Sequence, residues 1–284
     1  MTRPARHRRA PALALAGSGL LVGCHAAPSA QTADPPDKPG AAGPTLTADY
    51  LAAAQNPDDP RWHRVPAHAM ALDRAQTAAG LTPREPGDVR FAYDAQALYL
   101  RFDFTDHDLV CTGVADGDEL FKKSDIAEWF IGPPPRKTPG GHVLAGGWYL
   151  ELHASAAGLR TATLWLRPGL PQPIESPPFS VRVETRGTLN DHTDRDAGWT
   201  AVLTLPWSAL RAIDPDLTPQ TPLSMLAARY NYGHHTPRRP DGSAGPELSM
   251  FPAQPRTRFH LRPFHAPIRL AEPSTLPSAN RRAP

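Results

Sequence analysis

Segment after segment of this chain alternates apolar and polar side chains with a period of two, a pattern that fits short half-buried strands and little else. In Ala97–Phe104, Leu98, Leu100, Phe102 and Phe104 fall on one side, Tyr99, Arg101 and Asp103 on the other. Ser124–Gly132 sets Ala127, Trp129 and Ile131 against Ile126, Glu128 and Phe130. Gly147–Ala154 sets Trp148, Leu150 and Leu152 against Tyr149, Glu151 and His153. Thr161–Leu166 sets Ala162, Leu164 and Leu166 against Thr161, Thr163 and Trp165, and Gly198–Leu205 collects Trp199, Ala201, Leu203 and Leu205 on one face. Further strands are expected at 88–92, 180–186, 223–232 and 257–261, with a turn at Tyr93–Gln96. Helices are expected only at 67–79 and, as a short turn after Pro206, at 207–213. Many short strands, Pro- and Gly-rich connections and no βαβ alternation predict an all-β fold. The expected architecture is a single-domain antiparallel β-sandwich, immunoglobulin-like or jelly-roll-like.

Proline sets the limits of the folded part. The 284 residues include 35 prolines, against a usual share of about 5%. Many lie in 26–44 and 267–284, where few large apolar side chains are available to repay chain ordering. A folded region over 46–270 is therefore expected, with a linker at 24–45, a loose tail at 271–284, and long loops at 132–139 and 168–178. Residues 1–23 read as a signal peptide: Arg3, Arg6, Arg8 and Arg9, then an apolar run from Pro11 to Gly23, too short for a stop-transfer helix. Leu21-Val22-Gly23-Cys24 resembles the bacterial lipobox. That resemblance implies cleavage before Cys24 and a diacylglycerol on its thiol, each buried methylene adding about 0.8 kcal/mol of membrane affinity. It places the chain at the cell envelope, in the outer membrane or periplasm, since His25 rather than Asp follows the cysteine. The net charge of +2 and the lack of a basic cluster argue against nucleic acid as a partner. With Cys24 lipidated, Cys111 is alone, which excludes a disulfide framework; its neighbours Leu109 and Val110 suggest a small buried hydrophobe.

Seven segments, taken in order, resemble the family 9 carbohydrate-binding modules and their wider DOMON-like relatives. They are Asp58-Asp59-Pro60-Arg61-Trp62, the hairpin Val89–Phe102, Phe104-Thr105-Asp106, Ser124-Asp125-Ile126-Ala127-Glu128-Trp129-Phe130, Tyr149-Leu150-Glu151-Leu152, Gly198-Trp199 through Leu210, and Ala228-Arg229-Tyr230-Asn231-Tyr232. The resemblance spans about Asp58 to Arg262. It implies a β-sandwich that binds a sugar, beside or within a glycoside hydrolase active in carbohydrate catabolism. A sugar offers apolar C–H faces and a rim of hydroxyls, so it needs an aromatic platform and a few placed polar groups. In sugar-binding members two tryptophans sandwich the ring; here Phe121 stands at the first position, and Met250, or its neighbour Phe251, at the second. Glu128, Glu151, His153, Arg229 and Asn231 are the candidate hydroxyl-binding groups, with Trp165 as an alternative platform. An ion pair between Glu128 and Arg229 on an exposed sheet face is the competing reading. Trp62, Trp129, Trp148, Trp199 and Trp207 are expected to be structural.

No catalytic residue and no cofactor is assigned. Asp191, Asp194 and Asp196 stay open as oxygen ligands for calcium, though Asx-rich loops are usually turns. Some DOMON-like relatives hold haem b, which would draw on Met250 with His234 or His153. Glu128 and Glu151 are also compatible with the carboxylate pair of a glycoside hydrolase. Non-catalytic carbohydrate binding is the reading preferred here; a scaffold without ligand is the remaining alternative.

Overall fold

The alternating segments are strands in the computed structural model, which describes residues 44–122, 124–135, 147–167, 169–233 and 245–272. In chain order they are β1 (Leu46–Tyr50), β2 (His68–Ala69), β3 (Gly87–Tyr93), β4 (Ala97–Phe104), β5 (Ile126–Gly132), β6 (Tyr149–Ser155), β7 (Arg160–Arg167), β8 (Leu170–Pro173), β9 (Ser180–Arg186), β10 (Gly198–Pro206), β11 (Leu223–Asn231), β12 (Glu247–Phe251) and β13 (Ala266–Leu270). One layer runs β8-β7-β6-β5-β11-β13, with β12 also paired to β11; the other runs β3-β4-β10-β9, with β2 on β3. The signal peptide, Cys24, His234 and residues 273–284 lie outside the described residues. No described helix is long and apolar enough to cross a membrane.

The period-2 faces become the sandwich core. Leu98, Leu100, Phe102, Trp199, Ala201 and Leu203 meet Ala127, Trp129, Ile131, Leu150 and Leu152 in one apolar cluster, and the Phe91 and Trp129 rings touch across the layers, 5.7 Å apart. The outward side of the second layer is also covered: Trp62, Leu51 and Val65 pack on Tyr99 and Val202. That explains the Asp58–Trp62 motif, since Asp59 caps the 3-10 turn that carries Trp62 inward. Asp94 fixes the β3–β4 turn by accepting from the N–H groups of Ala53, Gln96 and Ala97 and from the Tyr99 hydroxyl.

Four expectations need correction. The sandwich is not wholly antiparallel, because β1 pairs parallel with β13 through Leu46–Ala48 and parallel with β3 through Asp49 and Tyr50. Residues 257–261 form no strand; the pairing partners of β11 are β5, β12 and β13 instead. Within 67–79 only α1 (Arg74–Ala78) is helical, after β2, and 207–213 is a full helix, α2 (Trp207–Ile213). The 168–178 loop contains β8, paired to β7.

Candidate functional site

The outward face of the first layer carries the polar cluster. Cross-strand register places Glu128 on β5 directly beside His153 on β6, and His153 beside Thr161 on β7. Glu151 projects from the same side of β6, next to Thr163. Ring nitrogen Nε2 of His153 lies 2.8 Å from Glu128 Oε1 and 3.0 Å from Glu151 Oε1. Its other nitrogen, Nδ1, is 3.1 Å from Thr161 Oγ1, and Trp165 Nε1 donates to Glu151 Oε2. Glu128 and His153 are only 1% and 6% exposed. The second oxygen of Glu128 is buried with no hydrogen-bond partner.

Burial and mutual attraction pull these groups in different directions. Burial pushes the Glu128 carboxyl up to about 7, against the stabilising pull of His153. Burial also disfavours a charged imidazole, but the two glutamates override it and hold His153 well above its ordinary range. Glu151, although burial opposes its charge, is held down by hydrogen bonds from His153 and Trp165. The three groups thus share protons as a unit.

An aromatic shell flanks the cluster. Phe121, on a 3-10 turn (Leu120–Lys122), is 37% exposed and meets His153 edge-on at 6.0 Å and Tyr230 at 6.4 Å. Trp165 is half-buried: its ring stacks on Tyr149 at 5.8 Å, with His260 against it at 4.6 Å, and the Tyr149 hydroxyl meets His260 Nδ1 at 2.9 Å. Thr161, Tyr149, Tyr230 and His260 were not among the sequence candidates. Thr161 shares a period-2 face with Trp165, and that was the signal available for it.

Not every expected residue joins the cluster. Arg229 and Asn231 project from the opposite, inward face of β11, because Arg229 is paired with Ala127 and not with Glu128. The Glu128–Arg229 ion pair of the competing reading does not form; the fully buried Arg229 pairs instead with Asp106 at 3.0 Å and Asn231 Oδ1 at 3.1 Å. Its guanidinium also donates to the Glu85 carbonyl and lies 4.5 Å over the Phe104 ring. Met250 is fully buried among Phe130, Tyr149, Leu226, Ala228 and Phe259, so it offers no platform face; Phe251 is half-buried against His68. The aspartate-rich loop bonds to its own protein. Asp196 accepts from the backbone of Leu109 and Thr188, and Asp191 from Thr193. Among the described residues the cluster of metal-ligating side chains is Glu128, Glu151 and His153, not the aspartates.

No family model and no curated protein matches the sequence. Solved structures do. A protein of Bacteroides uniformis proposed to bind carbohydrate superposes with a TM-score of 0.59 at 10% identity, covering 81% of this chain and 100% of that one. A family 9 carbohydrate-binding module of Caldicellulosiruptor kristjanssonii, in complex with cellotriose, superposes with a TM-score of 0.51, also at 10% identity, over 81% and 95% of the two chains. The chain has the family 9 fold. Within that fold, the Glu128 cluster and Phe121 stand together on the outward face of the first layer.

Proposed function

We propose that this chain is a non-catalytic carbohydrate-binding module, and that Phe121 and Glu151 contact the sugar, with the buried Glu128 and His153 holding Glu151 from behind. One observation carries the reading: a partly open aromatic ring stands edge-on to His153, in a cluster whose Glu128 and His153 are buried and whose Glu151 is partly open. A ring that takes a C–H face and charged groups that take hydroxyls are what a sugar site requires. Trp165 serves in this reading by holding Glu151, not as a platform. The proposal extends to a lipid anchor at Cys24, a place at the cell envelope and work alongside glycoside hydrolases; the support is the leader sequence and the kind of protein that shares the fold. The test is a glycan array headed by cello-oligosaccharides, followed by calorimetry on each hit. Phe121→Ala is expected to weaken binding about tenfold, near 1.4 kcal/mol, with no change in thermal midpoint. A blank array, or an affinity indifferent to both Phe121→Ala and Glu128→Gln, overturns the proposal.

A further inference from the structure

We infer that Glu128, Glu151 and His153 form a binding site for a divalent transition-metal ion of the Zn2+ class. The inference goes beyond the sugar reading and does not depend on it, although the two share residues. Each of the three side chains offers a donor atom, and these atoms lie within 4.8 Å of one another. In a tetrahedral site with bonds of roughly 2.0–2.2 Å, neighbouring ligand atoms stand about 3.3 Å apart. His153 Nε2 is already 2.8 and 3.0 Å from the two glutamate oxygens, so each His153–glutamate pair needs to open by only a few tenths of an ångström.

A second observation points to a cation independently of that spacing. Glu128 Oε2 is buried and receives no hydrogen bond. A buried carboxylate oxygen without a donor bears its full desolvation penalty, and a cation beside it removes that penalty.

The neighbours hold the trio as outer-shell groups hold metal ligands. Without metal, Nε2–H of His153 bonds the two carboxylates; an ion would replace that proton, with Nδ1–H donating to Thr161 Oγ1 and fixing the ring. Trp165 fixes Glu151 Oε2, leaving Oε1 for the ion. Metal-ligating histidines and carboxylates are oriented by such contacts, whose loss lowers affinity about 10- to 100-fold. The strand pairing of Glu128 with His153 and of His153 with Thr161 sets this arrangement on rigid elements.

One imidazole and two carboxylates make a mixed nitrogen–oxygen set. It suits Zn2+, Co2+ and their neighbours rather than Ca2+, which takes oxygen ligands alone. Three protein ligands leave a coordination position for water or a ligand hydroxyl.

The experiment uses the purified full chain, freed of metal by a chelator, and titrates ZnCl2, CoCl2 and CaCl2 by calorimetry, thermal melting and, for Co2+, visible absorption. The expected result is one Zn2+ or Co2+ per chain, a raised melting temperature and a Co2+ d–d band, with no response to Ca2+. Glu128→Gln and His153→Gln are expected to lower affinity at least 100-fold. Thr161→Val, which removes no ligand, is expected to lower it 10- to 100-fold while the melting temperature of the metal-free chain stays near that of the parent. A folded parent chain without saturable Zn2+ or Co2+ binding overturns the inference, as does binding unchanged in all three variants. Sugar affinity measured with and without Zn2+ separates the two readings. Metal binding without sugar binding overturns the proposed function alone; sugar binding without metal binding overturns this inference alone.

Discussion

Glu128 and Arg229 stand on neighbouring strands, yet they leave the sheet on opposite faces because their positions differ by one residue in register. Each finds its own partners: Glu128 meets His153 outside, and Arg229 meets Asp106 inside. Removing one member of a buried pair strands the other's charge. Arg229→Ala is therefore expected to destabilise the fold by about 3 kcal/mol in urea titration. Arg229→Lys is expected to recover little, since an ammonium cannot reproduce the fork to Asp106, Asn231 and the Glu85 carbonyl. Phe121→Ala should do the reverse, changing ligand affinity and not stability, because its ring is partly open. From the sequence, alternation within each strand was readable, and it correctly grouped Glu151 with His153. Which residue lies opposite which across strands is non-local information. No pattern within β11 says whether Arg229 or Ala228 shares a face with Glu128.

The loops show what the dense polar motifs are for. Asp196 bonds two backbone N–H groups, and Asn190, at φ 62°, grips both the N–H and the C=O of Cys111. The run 190–196 thus stitches the approach to β10 onto the segment after β4. At its end Gly198 has φ 131°, and a Cβ there would stand 1.9 Å from the Phe104 carbonyl oxygen. Gly198→Ala is expected to cost upwards of about 2 kcal/mol, read as a lowered urea midpoint with unchanged slope. Strands with clean alternation, such as β4, β5, β6 and β10, were foreseeable. β1, β12 and β13 were not, because five-residue strands next to prolines carry too few alternations to stand out. Residues 257–261 misled for the opposite reason. Phe259 is a buried apolar anchor, but it sits in turns that fold over Phe130 and Tyr230.

Charge burial gives the folded chain a characteristic pH response. Burial pushes Asp106 up to about 7, against the pull of Arg229, and raises Asp125 well above its ordinary value. Groups whose folded pKa is raised bind more protons folded than unfolded, so stability falls as pH rises through that window. Burial drives His265 the other way, well below 6.5, so below about 6.5 the unfolded chain takes up a proton there and this one group opposes the carboxyls. The melting temperature is therefore expected to climb as pH is lowered from about 7 towards 4.5, because Asp106, Asp125 and Glu128 together outweigh His265. Asp106→Asn should flatten the rise between about pH 7 and 4.5 by roughly 2–4 °C, measurable by differential scanning calorimetry across buffers.

β1 lies between the two layers, hydrogen-bonded in parallel to β13 on one side and β3 on the other. Tension arriving through the residues before Leu46 runs along the axis of that strand, with its bonds lying across the pull. They are loaded in shear and must fail together, whereas an edge strand such as β8 or β9 peels one bond at a time. Single-molecule pulling from the N-terminal side is accordingly expected to need a higher rupture force than pulling from either edge.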